Sequence, residues 1–290
     1  MQNNLPLVTV GIPTYNRPGG LERTLQCITA QTYTNLEIIV SDNCSTDTTV
    51  LPILQKYAAM DSRVRYIVQP ANRSIVPNFQ YLLNAAGGTY FMWAADDDFW
   101  DADFIDVCVR GMIANDKVVL CMPDLKFVEL DGTQSNSRLK KGFMQNNLFS
   151  RSFQFVKSTV QYKYFFCGVY KTKEAQNIPF DNSWGGDHLL LYELITKGKF
   201  MYIPGKTNFY YHKGGNSKGM ETVRRAFNIK KKFYFFDAYT LRYTTYQFTF
   251  KHINFFKKTG LFFSNIAALV CNEDFVFILY FYKKTLQGID

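Results

Sequence analysis

The chain has little that would mark it as secreted, cofactor-built or membrane-spanning. Its start, "MQNNLPLVTVGIPTYNR", lacks a basic stretch followed by an apolar core, so no secretory signal is read and a cytoplasmic location is expected. The six cysteines, Cys27, Cys44, Cys108, Cys121, Cys167 and Cys271, form no CxxC pair, which argues against a disulfide framework and a zinc knuckle. The sequons at Asn43 and Asn72 matter only in a secreted protein and carry no weight. No GxGxxG and no P-loop follows the first apolar run; Pro13 and Asn16 stand there instead, which speaks against NAD binding and ATP hydrolysis. No apolar segment reaches the ~20 residues that span a bilayer, since "NED" at 272–274 interrupts the longest C-terminal one.

What is present is a globular composition with a lopsided charge. At 290 residues and 47% hydrophobic content the chain can build one large α/β domain, with or without an appendage, and disorder is excluded. The net charge is +9, and from Arg224 to Asp290 eleven Lys and Arg face four acids. That stretch is also thick with Phe and Tyr. The mixture suits an interface where rings enter and cations meet anionic head groups; a helical cap with a solvated basic face is the alternative. Peripheral membrane contact through 224–290 is the most it implies.

The first hundred residues alternate strand and helix. "LVTVGI" (7–12), "LEIIVSD" (36–42), "VRYIVQ" (64–69) and "YFMWAA" (90–95) read as strands. Helical spacing predicts helices over 21–31, 48–60 and 76–86. Short links between them predict a Rossmann-like, mostly parallel sheet with helices on both faces. Ligands of such sheets bind beyond the carboxyl ends of the strands. There the sequence puts "PTYNR" (13–17), "SDNCSTD" (41–47), "ANRS" (71–74) and "DDD" (96–98). Three adjacent carboxylates repel and raise one another's pKa. A divalent cation resolves that conflict, and hard oxygen ligands suit Mg²⁺ or Mn²⁺ bridging a diphosphate.

Beyond residue 98 the pattern loosens. "VVLCM" (118–122) and "LKFVEL" (125–130) read as strands, with a hairpin turn at Asp131 and Gly132. A helix is expected over 148–158, then "FFCGVYK" (165–171). "SWGGDHLLLYELITKG" (183–198) opens a strong helical pattern with Asp187 after two glycines, where an N-cap role is the plain structural reading. His188 reads as a helix-surface residue, with tuning of the neighbouring Asp187 as the alternative. Trp93, Trp100 and Trp184 flank the acidic clusters, and Trp184 reads as a stacking surface for a ligand ring or as a core residue.

"VTVGIPTYNRPGGLERTLQCITAQTYTNLEIIVSDNCSTDTT" followed by "AAGGTYFMWAADDDFWDADFI" resembles family 2 glycosyltransferases, inverting enzymes of the GT-A fold, over roughly residues 5–215. The resemblance implies transfer of a sugar from a nucleotide-diphosphate donor, UDP-sugar favoured, to an acceptor hydroxyl on a glycan or lipid-linked oligosaccharide of a surface polysaccharide. It implies donor contacts at Pro13, Tyr15, Arg17, Asp42 and Arg73, with Asp42 on the base. "DDD" matches the DxD element: Asp96 toward ribose or a metal-bound water, Asp98 on Mn²⁺ or Mg²⁺, and Asp97 able to take either role. Asp187 falls where the family holds its general base. "FYYHKGGNSKG" (209–219) resembles the segment whose His and Ser meet metal and diphosphate, which makes His212 a metal ligand and Ser217 a donor contact, with Lys218 nearby. Expected domains are 1–219 (a nucleotide-sugar half to 98, an acceptor half beyond) and a helical, basic-aromatic extension over 220–290. A sugar nucleotidyltransferase and a non-catalytic nucleotide- or glycan-binding module are the alternatives. Nucleic acid is not expected as a partner, because no reading motif is present and an acidic rim repels a polyanion.

Overall fold

The computed structural model of the chain describes residues 5–129, 131–137, 141–158, 163–182, 185–212 and 245–271. The first β-branched run forms β1 (Val8–Thr14), whose seven residues are all buried. It is covered on both edges: β2 (Leu36–Asp42) and β4 (Tyr90–Trp93) run parallel to it, and β3 (Val64–Val68) runs parallel to β2. Parallel neighbours need crossovers, here α1 (Pro18–Thr29), α2 (Val50–Met60) and α3 (Ile75–Ala85). Pro18 opens α1, where its missing N–H costs nothing. α2 starts two residues later than its spacing predicts. The Asp47 carboxylate accepts the Thr49 N–H (2.9 Å) and hydroxyl (2.6 Å), holding that stretch in a turn.

The second half adds β5 (Phe99–Trp100), α4 (Phe104–Ala114), β6 (Val118–Val128), β7 (Gln134–Asn136) and α5 (Leu148–Lys157). A 3₁₀ turn (Lys163–Cys167), β8 (Val169–Lys171), α6 (Thr172–Gln176), α7 (Gly186–Lys197) and β9 (Lys199–His212) follow. The C-terminal piece is a 3₁₀ turn (Tyr246–Thr249) and α8 (Phe255–Val270). Sheet order is β3-β2-β1-β4-β8-β6-β9-β5, with β7 on β6. The expected mostly parallel sheet is found: β1 to β4 pair in parallel, and so do β6 and β9. β8 inserts antiparallel to both β4 and β6, and β5 lies antiparallel to β9, so the whole sheet is mixed.

Two expected strands, 118–122 and 125–130, are one. The run stays paired to β9 across Pro123, but the partner jumps from Ile203 to Asn208, so 204–207 bulge out of β9. The predicted hairpin turn forms at Asp131, whose carboxylate accepts the Thr133 N–H (2.9 Å), with Gly132 at φ 83°. "FFCGVYK" divides into the 3₁₀ turn and β8 at Gly168, where an added Cβ would stand 2.4 Å from the Cys121 carbonyl oxygen of β6. Trp93 is core: it stacks on Phe166 at 4.7 Å and donates Nε1–H to the Phe79 carbonyl at 3.1 Å. Trp100 is buried too, whereas Trp184, Ser217, Lys218 and the expected boundary at 219/220 lie outside the described residues. Among the described residues no helix is long and apolar enough to cross a membrane.

Candidate functional site

The carboxyl ends of β1, β2 and β4 meet at one rim because the three strands are parallel and in register, Thr14 pairing with Asp42 and Gly11 with Trp93. β4 stops at Trp93, and the chain turns so that the Asp98 N–H bonds the Ala95 carbonyl (3.3 Å). That turn swings the three acids over β1. Thr14 Oγ1 donates to Asp96 Oδ2 (2.8 Å), and Arg17 Nη1 donates to Asp96 Oδ1 (3.1 Å) and Asp97 Oδ2 (2.8 Å). A Cβ on Gly20 would stand 2.0 Å from the Asp96 carbonyl oxygen, so α1 can begin this close only with glycine.

Burial pushes the Asp96 carboxyl up to about 6, with Arg17 and Thr14 pulling against it and Asp97 adding to it. Burial alone would lower the Arg17 pKa, but Asp96 and Asp97 overcome it and leave the guanidinium raised. Asp98 is buried and Asp97 half-buried. Arg17, a candidate donor contact from its position, is thus bonded to the acid cluster. Tyr15 is exposed and Pro13 buried.

The end of β2 forms the adjoining wall. Asp42 is buried and its Oδ1 accepts from Ser45, from N–H at 3.1 Å and Oγ–H at 2.5 Å. Asn43 Oδ1 accepts the Arg73 N–H (2.8 Å), and the exposed Arg73 guanidinium reaches Gln69 Oε1 (3.3 Å) and lies 6.0 Å from the Tyr81 ring centre. Asn16 was not singled out by sequence reasoning, yet it joins the two loops. At φ 53° its Oδ1 accepts the N–H groups of Thr46 (2.8 Å) and Asp47 (3.0 Å), and its own N–H bonds Ser45 Oγ (2.8 Å). Asn tolerates the left-handed region better than other non-glycine residues, the one signal in the sequence that could have found it. Asn16→Ala keeps the strained backbone and loses the two accepted N–H bonds together with the side-chain contacts to the Thr46 hydroxyl, Nδ2 donating to Oγ1 at 3.1 Å among them; we expect about 1–2 kcal/mol of stability lost in urea unfolding.

Across the sheet, α7 carries Asp187 in its first turn. The N-cap reading is overturned: the cap is Gly185 at φ 82°, with no side-chain cap bond. The Asp187 side chain is 39% exposed, 3.9 Å from His188 Nε2. His188 is buried, not on the surface as its position suggested, because α7 is covered on nearly every side. Burial lowers its pKa, partly offset by Asp187.

Cys167, overlooked in the sequence, links the two acidic regions. Burial raises its thiol pKa, and the charges of Asp98, Asp97 and Asp187 raise it further. Burial lowers the Lys163 pKa against the pull of Asp187, and burial pushes Tyr164 up to about 12 with help from Cys167 and Asp98. The acid turn and the first turn of α7 thus act on the same thiol.

β9 pairs with β5, the strand that follows the acid turn. Tyr210 pairs with Phe99 and stacks on it at 4.4 Å, and Asp101 Oδ2 accepts the N–H (2.9 Å) and Nδ2–H (2.6 Å) of Asn208. His212 belongs to β9 by its backbone, opposite Val128; its side chain lies outside the described residues. Among the described residues no three His, Cys, Asp or Glu side chains group to hold a metal ion. The carboxylates still fit Mg²⁺ or Mn²⁺: they offer only hard oxygens, Asp96 sits above its ordinary pKa, and such ions take one or two protein carboxylates and complete their shell with phosphate and water.

Comparison with known proteins agrees with this geometry. The family model described as "Glycosyl transferase family 2" matches residues 9–177. A putative teichuronic acid biosynthesis glycosyltransferase, TuaG, of Bacillus subtilis is 33% identical over 39% of this chain and 44% of its own length. The hyaluronan synthase of Pasteurella multocida is 29% identical over 41% of this chain and 12% of its own. The chain thus spans less than half of either relative. Among solved structures, S. aureus TarS 1–349 superposes with a TM-score of 0.65 at 15% identity, covering 92% of this chain and 72% of that one. The same protein in complex with UDP-GlcNAc gives 0.60 at 14% identity, over 97% and 89%. The mannosyltransferase PcManGT of Pyrobaculum calidifontis, in complex with GDP-Man and Mn²⁺, gives 0.57 at 15% identity, over 92% and 75%. At these identities the likeness is one of fold, the GT-A fold.

Proposed function

The chain belongs to glycosyl transferase family 2, and from that premise we propose that it is an inverting, metal-dependent glycosyltransferase moving a sugar from a UDP-sugar to an acceptor hydroxyl. One observation carries the reading: Asp42 and the Asp96–Asp98 turn stand at the carboxyl ends of parallel strands, and the charges of Asp97, Asp98 and Asp187 all act on the Cys167 thiol. The match to TuaG and the TarS complex with UDP-GlcNAc support a UDP-sugar and a glycan or lipid-linked acceptor of a surface polysaccharide. Location at the cytoplasmic membrane face, with 224–290 in peripheral contact, belongs to the same reading.

Roles follow from position. Pro13, Tyr15, Asp42 and Arg73 line the nucleotide side, and Arg17 acts on it through the acids it holds. Asp97 and Asp98 would hold Mn²⁺ or Mg²⁺, with His212 as a further ligand, Ser217 at the diphosphate and Asp96 toward the ribose. When bound, the ion neutralises charge growing on the departing diphosphate. Asp187 accepts the acceptor hydroxyl's proton as that oxygen bonds the anomeric carbon. The bond from that carbon to the phosphate oxygen breaks, and its electron pair leaves with UDP on the opposite face. Configuration inverts.

The test is a calorimetric titration of UDP with and without Mn²⁺, at pH 7 and pH 5. A folded-state pKa of about 6 for Asp96 lies above the ordinary carboxylate value of about 3.9. Between those values the folded chain holds more protons than the unfolded one, so this carboxyl's contribution to stability falls as pH rises through the window. A proton on Asp96 removes a negative charge beside Asp97 and Asp98 and so weakens their hold on a cation. Binding of UDP should need Mn²⁺ at pH 7, and the Mn²⁺-dependent gain should shrink by up to about tenfold at pH 5. Equal UDP affinity with and without Mn²⁺ would reject the metal role, and no UDP binding at all would reject the donor.

A further inference from the structure

Residues 245–271 contain Lys251, Lys257 and Lys258 and no acid. α8 buries Leu261, Asn265, Ala268 and Leu269, packs against α5, and joins α7 through a 2.5 Å bond from Asn265 Nδ2 to the Tyr192 hydroxyl. Its outward face is apolar as well. Phe256 is 85% exposed, Phe255 69%, Phe263 64% and Ile266 40%. Positions 256, 263 and 266 recur at helical spacing, so they form one stripe. Phe248, 42% exposed, extends it from the neighbouring 3₁₀ turn, its ring 6.1 Å from Phe262. A helix facing water turns a polar side outward. Single surface hydrophobics are ordinary, whereas four rings and an isoleucine in one patch mark a docking surface.

We propose that this patch docks on an anionic lipid bilayer, with Phe248, Phe255, Phe256 and Phe263 entering the acyl boundary and the three lysines meeting the headgroups. Charge selects this occupant. A second copy packed symmetrically on the patch would set Lys257 and Lys258 against the same lysines, with no acid in the segment to answer them. An anionic headgroup layer supplies counter-charge along the whole patch, and rings flanked by lysines are the composition of interfacial helices. The placement also suits the chemistry, and here the inference rests on the glycosyltransferase reading. α8 leans on α7, which carries Asp187, and His252 adds a 2.9 Å contact from Nε2 to Thr196 Oγ1 on that helix. Docking through α8 therefore turns the acceptor half to the bilayer, where a lipid-linked acceptor resides.

The full chain should co-sediment with vesicles of phosphatidylcholine mixed with phosphatidylglycerol and only weakly with phosphatidylcholine alone. Phe256→Glu with Phe263→Glu should reduce binding at least tenfold, and Lys257→Glu with Lys258→Glu severalfold. Phe256, Phe263 and Lys257 are exposed, Lys258 is half-buried with Nζ donating to the Phe248 carbonyl (3.1 Å), and none of the four belongs to the acid turn or to α7, so UDP titration of the same variants should match the parent. Unchanged vesicle binding in both double variants overturns the proposal. So does a concentration-dependent dimer, seen by light scattering, that Phe256→Glu abolishes. Vesicle binding that is intact in a chain unable to bind UDP leaves the docking surface standing and rejects the UDP-sugar donor alone.

Discussion

Asp187→Asn should lower kcat for sugar transfer by about 10²–10⁴ while leaving the affinity for UDP within about twofold. General-base catalysis is worth that range, and an amide cannot take the acceptor's proton. The substitution isolates chemistry from folding unusually well here. Asp187 makes no cap bond, since Gly185 holds the N-cap position with its left-handed backbone, and the side chain is half-exposed, so an isosteric amide fits. Asp187→Glu should retain part of the activity, because it keeps the proton acceptor and displaces it by one methylene. Measured kcat and KM for both variants, with UDP calorimetry alongside, decide the matter. Transfer by the Asn variant within threefold of the parent would remove Asp187 from the mechanism. Lost UDP binding would mean that the first turn of α7 shapes the donor pocket instead.

The second large effect is expected from Asp98→Ala: Mn²⁺-dependent UDP binding should weaken by more than about 100-fold. Even groups that merely orient metal ligands cost 10–100-fold when removed, so loss of a direct ligand should exceed that range. The turn that carries Asp98 is also held by the Arg17 bonds to Asp96 and Asp97 and by Thr24 Oγ1, which donates to the Ala95 carbonyl at 3.2 Å. Asp97→Ala serves as the comparison. If it abolishes the Mn²⁺ dependence and Asp98→Ala does not, the direct ligand is Asp97. If neither does, the acid turn is no metal site.

The parallel half of the sheet was legible because β1 and β2 are nearly continuous apolar runs, which only burial on both faces permits. Side-chain turns and tertiary insertion hid the rest. Asp47 delays α2, an effect that periodicity does not see. β8 has three residues, too few to carry a pattern, and takes its direction from β4 and β6 rather than from its own sequence. His188 was misread because α7 is buried around its circumference, which erases the polar stripe that surface reasoning relies on. At the site, the position of the Asp96–Asp98 turn was readable, but its partners were not. Thr14 and Asp96 are 82 residues apart, and nothing local in "PTYNR" tells that Arg17 bonds the acids.

The bonds that Asn16 makes to the β2 loop have a consequence for the entropy of ligand binding. A pocket wall assembled from two independent loops would have to be ordered by the nucleotide, at about 0.5–1.5 kcal/mol for each mobile side chain immobilised. Here Thr46, Asp47 and Ser45 are already bonded to Asn16, and Ser45 in turn to Asp42. The two loops meet an incoming nucleotide as one preorganised surface, so its contacts on this side go into affinity rather than into folding the wall.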